Sequence, residues 1–213
     1  MLGFPSTVIY PERMDPRYER TQRQLRRAVY ELAAERPVGE IAVAELCRAA
    51  GVTRDTFYRH ATSPTTLLAE ALGDELTAAI EAVRDEHSGR LGPGERLDGE
   101  ALMRQSERAL LQHLRTHAAV YRNAMAAGLV PELRAQLETV IFDALAEHAL
   151  AHPSILPEAI APDDQQALEI TTAYAASGTV GAIERWLRHD PLDVDRGAAL
   201  ILAASPGFWL RDA

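Results

Sequence analysis

Apolar positions recur every three to four residues along almost the whole chain, and no segment alternates with the two-residue period of a half-buried strand. Leu25, Ala28, Val29 and Leu32 mark one face of a helix expected from about Arg17 to Glu35, stopped by Pro37 and Gly39. A short helix over Val43 to Ala50 should end at Gly51, where a left-handed C-cap needs no Cβ. Thr53 is placed to cap a second short helix, Arg54 to His60. Ser63 followed by Pro64 signals another N-terminus, because proline at the first helical position gives up only a donor that has no intrahelical partner. That fourth helix is expected to reach about His87.

Ser88 to Gly99, with four glycines and Pro93, reads as a linker. Beyond it the helical period predicts segments at about Glu100 to Thr116, Ala118 to Ala127, Pro131 to His152, Asp163 to His189 and Asp193 to Ala204. Leu133, Leu137, Val140, Ile141, Ala144 and Leu145 give the third of these a strong apolar stripe. The pattern implies an all-α fold, with an N-terminal extension (1–16), a three-helix helix-turn-helix unit (17–62) and a helical bundle (63–213) that includes the fourth helix.

Charge divides along the same line. Residues 1–62 hold ten arginines against eight acids, whereas residues 63–213 hold twelve against twenty-three, within a net charge of −9. Every basic residue is arginine, and Arg20, Arg23, Arg26 and Arg27 share one side of the first helix. An acidic protein with its cations gathered at one end is suited to meet a polyanion there. No apolar run reaches the length of a bilayer span, since Ala198 to Leu210 is broken by Pro206 and Gly207. Met1 to Tyr10 lacks the pattern of a secretory signal, and Cys47 is the sole cysteine, so a cytoplasmic protein without internal disulfides and without membrane attachment is expected.

The most informative block is Ile41 to Leu68, IAVAELCRAAGVTRDTFYRHATSPTTLL. Two short helices about a glycine turn allow the second to lie in a DNA major groove while the first crosses the backbone. Val43, Leu46, Cys47, Ala50, Val52 and Phe57 are the apolar contacts expected to fix their angle, with Cys47 a small core residue. AGVT, the tail TFYRH and the helix start at Ser63 resemble the DNA-binding region of TetR-family transcription regulators over about residues 18 to 70. The resemblance implies that Thr53, Thr56, Tyr58 and His60 contact phosphates and that Arg54 reads a base. Departures from the family pattern are Ala42 for a hydroxyl cap, Ala44 for a polar residue, Ala61 for an aromatic and Pro64 for a lysine. Asp55 is also unusual in a groove, where a carboxylate is tolerated if it accepts from a cytosine amine.

Tyr174 to Arg188 resembles the penultimate helix of several members of that family. Its small residues, with Gly178, Gly181, Trp186 and Leu200 as candidate contacts, suit either close packing within the chain or the seam of a homodimer built as a four-helix bundle. Met103, Tyr121, Met125, Phe142 and Tyr174 fall on helices that enclose the ligand cavity in similar proteins, and are candidates to line a pocket for a small apolar or aromatic molecule. The pairs His113/His117 and His148/His152 have metal-ligand spacing, but no cysteine or carboxylate adjoins them in sequence, so they read as surface histidines and no metal or cofactor is expected. No phosphate-binding glycine loop, HExxH or GxSxG motif points to an enzyme. The resemblance implies a regulator of double-stranded DNA, a repressor released by a small-molecule effector; an interaction protein that has lost operator binding is the alternative suggested by Ala44, Asp55 and Pro64.

Overall fold

The computed structural model describes residues 16–90, 98–125, 128–160 and 163–211. Among these, nine α-helices appear and no strand: α1 Pro16–Glu35, α2 Val43–Ala50, α3 Arg54–Tyr58, α4 Pro64–Arg90, α5 Gly99–Thr116, α6 Ala118–Asn123, α7 Pro131–Ala151, α8 Gln165–Trp186 and α9 Val194–Ala204. Single 3-10 turns at Val38–Glu40, Pro153–Ile155 and Gly207–Leu210 complete the described chain. No described helix is long and apolar enough to cross a membrane.

Local chemistry accounts for most helix ends. Asp98 accepts from the Ala101 amide at 2.8 Å, Asp164 from Ala167 at 3.0 Å and Asp193 from Arg196 at 2.9 Å, each satisfying a first-turn donor. The cap at Asp164 starts α8 later than Asp163, and α8 stops at Trp186 rather than His189. α4 continues through Ser88 and Gly89, which the sequence pattern assigns to the start of the linker. A glycine inside a helix costs only about 1 kcal/mol, too little to stop a helix already seven turns long. The rest of the expected linker, residues 91–97, lies outside the described residues, as do Ala126 and Ala127 at the expected end of α6.

Most buried apolar side chains form one cluster from α1 to α9, and Val83 of α4 with Leu102 of α5 makes a small second one. At one end Leu25 and Val29 of α1, Leu46 of α2 and Phe57 of α3 meet Leu68 and Leu72 of α4. At the other, α7 packs on α4 and α8, while α5 packs on α4 and α9. α4 thus belongs to both groupings. Gly197 of α9 permits a close approach there, since a Cβ would stand 2.6 Å from Trp186 Nε1 and 2.9 Å from Leu111 Cδ1.

Candidate nucleic-acid interface and internal cavity

The turn between α2 and α3 is held from both sides. Gly51 has φ 67° and ψ 34°, the left-handed region that a side chain disfavours, and the next amide, Val52, donates back to Cys47 O at 2.9 Å. Thr53 Oγ1 accepts from the Thr56 amide at 3.1 Å and lies 2.9 Å from the Thr56 hydroxyl. Phe57 is fully buried, which leaves Arg54, Asp55 and Tyr58 exposed on α3, with Arg59 exposed just past its end. A five-residue helix pinned by one buried aromatic and a threonine cap therefore presents a guanidinium, a carboxylate and a phenol to solvent.

Around this face the departures have local consequences. Ala42 leaves α2 without a side-chain cap. Ala61 and Pro64 are buried, and the Ser63 hydroxyl accepts from the Thr66 amide at 3.0 Å to start α4. Ala44 is half-buried on α2. His60 is half-buried and stacks on Tyr18 of α1 at 4.1 Å between ring centroids, while its Nδ1 has no hydrogen-bond partner among the described residues. Burial, then the Arg59 cation, holds its imidazole below the ordinary value. Tyr18 and Arg59, whose side chain donates to Thr56 Oγ1 at 3.3 Å, were not singled out from sequence. Cys47 is buried and its thiol is pushed up by burial, as suits a packing residue. Arg20 and Arg23 are exposed on α1, whereas Arg26 pairs with Asp74 and Arg27 with Glu31.

A cavity lies inside the bundle, walled by Ile80 and Arg84 of α4, Leu102, Met103 and Leu110 of α5, Ile141, Leu145 and His148 of α7, and residues of α8 and α9. Three polar atoms on its wall have no hydrogen-bond partner among the described residues: Glu107 Oε1, His148 Nε2 and Trp209 Nε1. Burial pushes the Glu107 carboxyl up to about 7 and the His148 imidazole down to about 4, the latter helped by His152 and Arg84. Burial thus favours the neutral form of both groups, in a wall that is mainly apolar but also carries Arg84, Ser106, Thr179 and Ser205.

The five residues expected to line a pocket are distributed differently. Only Met103 is on this cavity. Tyr121 is buried, but its hydroxyl faces His113 Nε2 at 3.2 Å. Met125 and Phe142 pack at the edge of the core, and Tyr174 is 73% exposed. The resemblance implies only which helices enclose a cavity: Met103, Phe142 and Tyr174 do lie on helices that wall this one, but α6, which carries Tyr121, does not, and Met125 lies beyond α6. The histidine reading is also corrected, because His113 and His148 are buried. Glu75, distant in sequence, brings a carboxylate to His113 and His117, with one ligand atom of each residue within 4.8 Å of the others. Of the candidate dimer residues, Gly178 and Leu200 are exposed and Gly181 is half-buried, while Trp186 donates to Asp193 O at 3.1 Å and packs within the chain.

Helix order, the short α2–α3 pair and the bundle holding a cavity define an all-α fold, that of the TetR-family transcriptional regulators. Among solved structures, Thermus thermophilus FadR, a TetR-family transcriptional repressor in complex with lauroyl-CoA, aligns with a TM-score of 0.62 and 20% identity over 85% of this chain and 91% of that one. RolR in complex with resorcinol gives 0.60 and 18% over 89% of each chain. The TetR-family repressor AlkX from Dietzia, implicated in biodegradation of n-alkanes, gives 0.51 and 15% over 92% of this chain and 96% of that one. No family model and no curated protein matches the sequence.

Proposed function

We propose that this chain is a sequence-specific DNA-binding transcriptional regulator that acts as a homodimer, a repressor released from a near-palindromic operator by a small effector. The observation that carries the reading is the continuity of α4. Its first turns, at Leu67, Leu68 and Leu72, are buried in the core shared with α1 to α3, and Ile80 and Arg84 of the same helix line the cavity. A molecule that fits the cavity differently in two positions of α4 biases the exposed α3 face, which is the requirement for coupling two sites. Arg54 is assigned to base reading, Thr53, Thr56, Tyr58 and His60 to phosphate placement, and Asp55 to a cytosine amine or to rejection of other bases.

The effector suggested by the cavity has an aromatic or compact apolar body carrying hydrogen-bonding groups. A purely apolar ligand would leave Glu107, His148 and Trp209 unpaired and dry, at about 1–3 kcal/mol for each group. The same fold holds resorcinol in RolR and lauroyl-CoA in FadR, and three separated polar atoms favour a ligand of the first kind here. The test is release of a labelled operator by aromatic diols compared with toluene. The diols should release it, and Met103→Trp, which fills the cavity, should abolish release with ligand-free DNA binding retained. Equal release by toluene, or release indifferent to Met103→Trp, would refute this assignment of the effector.

A further inference from the structure

Beyond the cavity, Glu75 of α4, His113 of α5 and His117, the residue between α5 and α6, converge where α4 and α5 meet α1 and α6. We propose that these three side chains form a binding site for a divalent transition ion of the zinc class, with one coordination position open to solvent. The donor set is two imidazoles and one carboxylate, which suits Zn²⁺, Co²⁺ or Ni²⁺; soft Cu(I) would want sulfur, and Ca²⁺ or Mg²⁺ more oxygens. Spacing supports it. His113 and His117 are one helical turn apart with ring centroids 4.9 Å apart, and His117 Nε2 lies 2.9 Å from Glu75 Oε2. Ligand arms of about 2.1 Å in a tetrahedron put donor atoms about 3.4 Å apart, so the separations here bracket what an ion would draw together through side-chain rotation alone.

The surroundings orient the ligands as an outer shell does. Tyr30 Oη donates to the other Glu75 oxygen at 2.8 Å, and the Tyr121 hydroxyl lies 3.2 Å from His113 Nε2. His113 is buried, His117 is half-buried and Glu75 is exposed, which gives a graded path from solvent to the ion. An ion here fastens α4 to α5 directly beside Tyr30 of α1. The site requires no DNA and stands or falls separately from the regulatory reading.

The test uses the full chain without a histidine tag, stripped with chelator and titrated with ZnCl₂ by calorimetry and with CoCl₂ by visible absorption. One equivalent should bind per chain at micromolar metal, the cobalt form should show intense ligand-field bands of low coordination number, and Zn²⁺ should raise Tm. His117→Ala and Glu75→Gln, both at accessible positions, should each lower affinity at least tenfold while keeping the helical circular dichroism. His152→Ala, in the other histidine pair, should leave binding unchanged. Absence of stoichiometric binding at 100-fold excess over about 1 μM protein, or binding that survives His117→Ala and Glu75→Gln, or binding lost in His152→Ala, would overturn the proposal and leave a metal-free hydrogen-bonded cluster.

Discussion

Tyr30 on α1 donates its hydroxyl to Glu75 on α4 across 2.8 Å, tying the first helix to the helix that also lines the cavity. Burial and the Glu75 carboxylate both favour the protonated phenol, so the donor is present at any physiological pH. Tyr30→Phe removes this bond with little change in shape. It should lower unfolding free energy by about 1–2 kcal/mol, the range for a partly exposed hydrogen bond to a charged acceptor, measured by urea denaturation at constant m-value.

Glu107 predicts a pH effect of definite sign. Burial pushes its carboxyl up to about 7 in the folded chain against about 4.5 in the unfolded one, so below about 4.5 both states are protonated and burial carries no penalty. As pH rises to about 7 the unfolded chain ionises first, and stability falls. Glu107→Gln should therefore gain stability relative to the parent chain as pH rises from 4.5 to 7, levelling above at a value on the order of 3 kcal/mol. His113 and His148, both held near 4, act in the opposite sense and weaken the fold as pH falls from 6.5. Parallel denaturation of parent and variant across this range isolates the Glu107 contribution; a difference independent of pH would contradict it.

Ile170, Tyr174 and Leu200 are 63, 73 and 60% exposed, large apolar side chains left uncovered on α8 and α9. The proposed homodimer would bury this surface, since two such helices from each copy can make a four-helix bundle. Leu200→Glu places two carboxylates in that seam, and sedimentation should then show a monomer at micromolar concentration with helical content intact. A Leu200→Glu dimer as tight as the parent would locate the interface elsewhere.

Helix ends were readable from sequence where one residue decides them: Gly51 at a positive φ, Thr53 as a hydroxyl cap, and Pro64 at the first position of α4, whereas Asp193, expected inside the last helix, caps it instead. The α2–α3 turn was readable for the same reason. Contacts between distant elements were not. Glu107, His148 and Trp209 sit on separate elements, and nothing in a helical period indicates that their polar atoms share one cavity. Glu75 reaches His117 across 42 positions, and Tyr18 finds His60 across the same number. Tyr121 belongs to α6, which contributes no residue to the cavity wall, and its hydroxyl faces His113, an arrangement set by packing among α1, α5 and α6.

The central claim is that the exposed face of α3 reads a DNA sequence, and the most direct measurement is selection from a random duplex library at about 0.1 M salt, where exposed charges are screened beyond about 10 Å. The parent chain should enrich a near-palindrome whose half-sites are about 34–36 Å apart, one helical turn, or a wider multiple. Arg54→Ala should relax preference at one position per half-site, a loss of about 1–3 kcal/mol there, while Tyr58→Phe should weaken every sequence more evenly. Failure of the parent chain to enrich any motif, or enrichment of the same motif at the same affinity by both variants, would contradict the assignment of α3 as the reading helix.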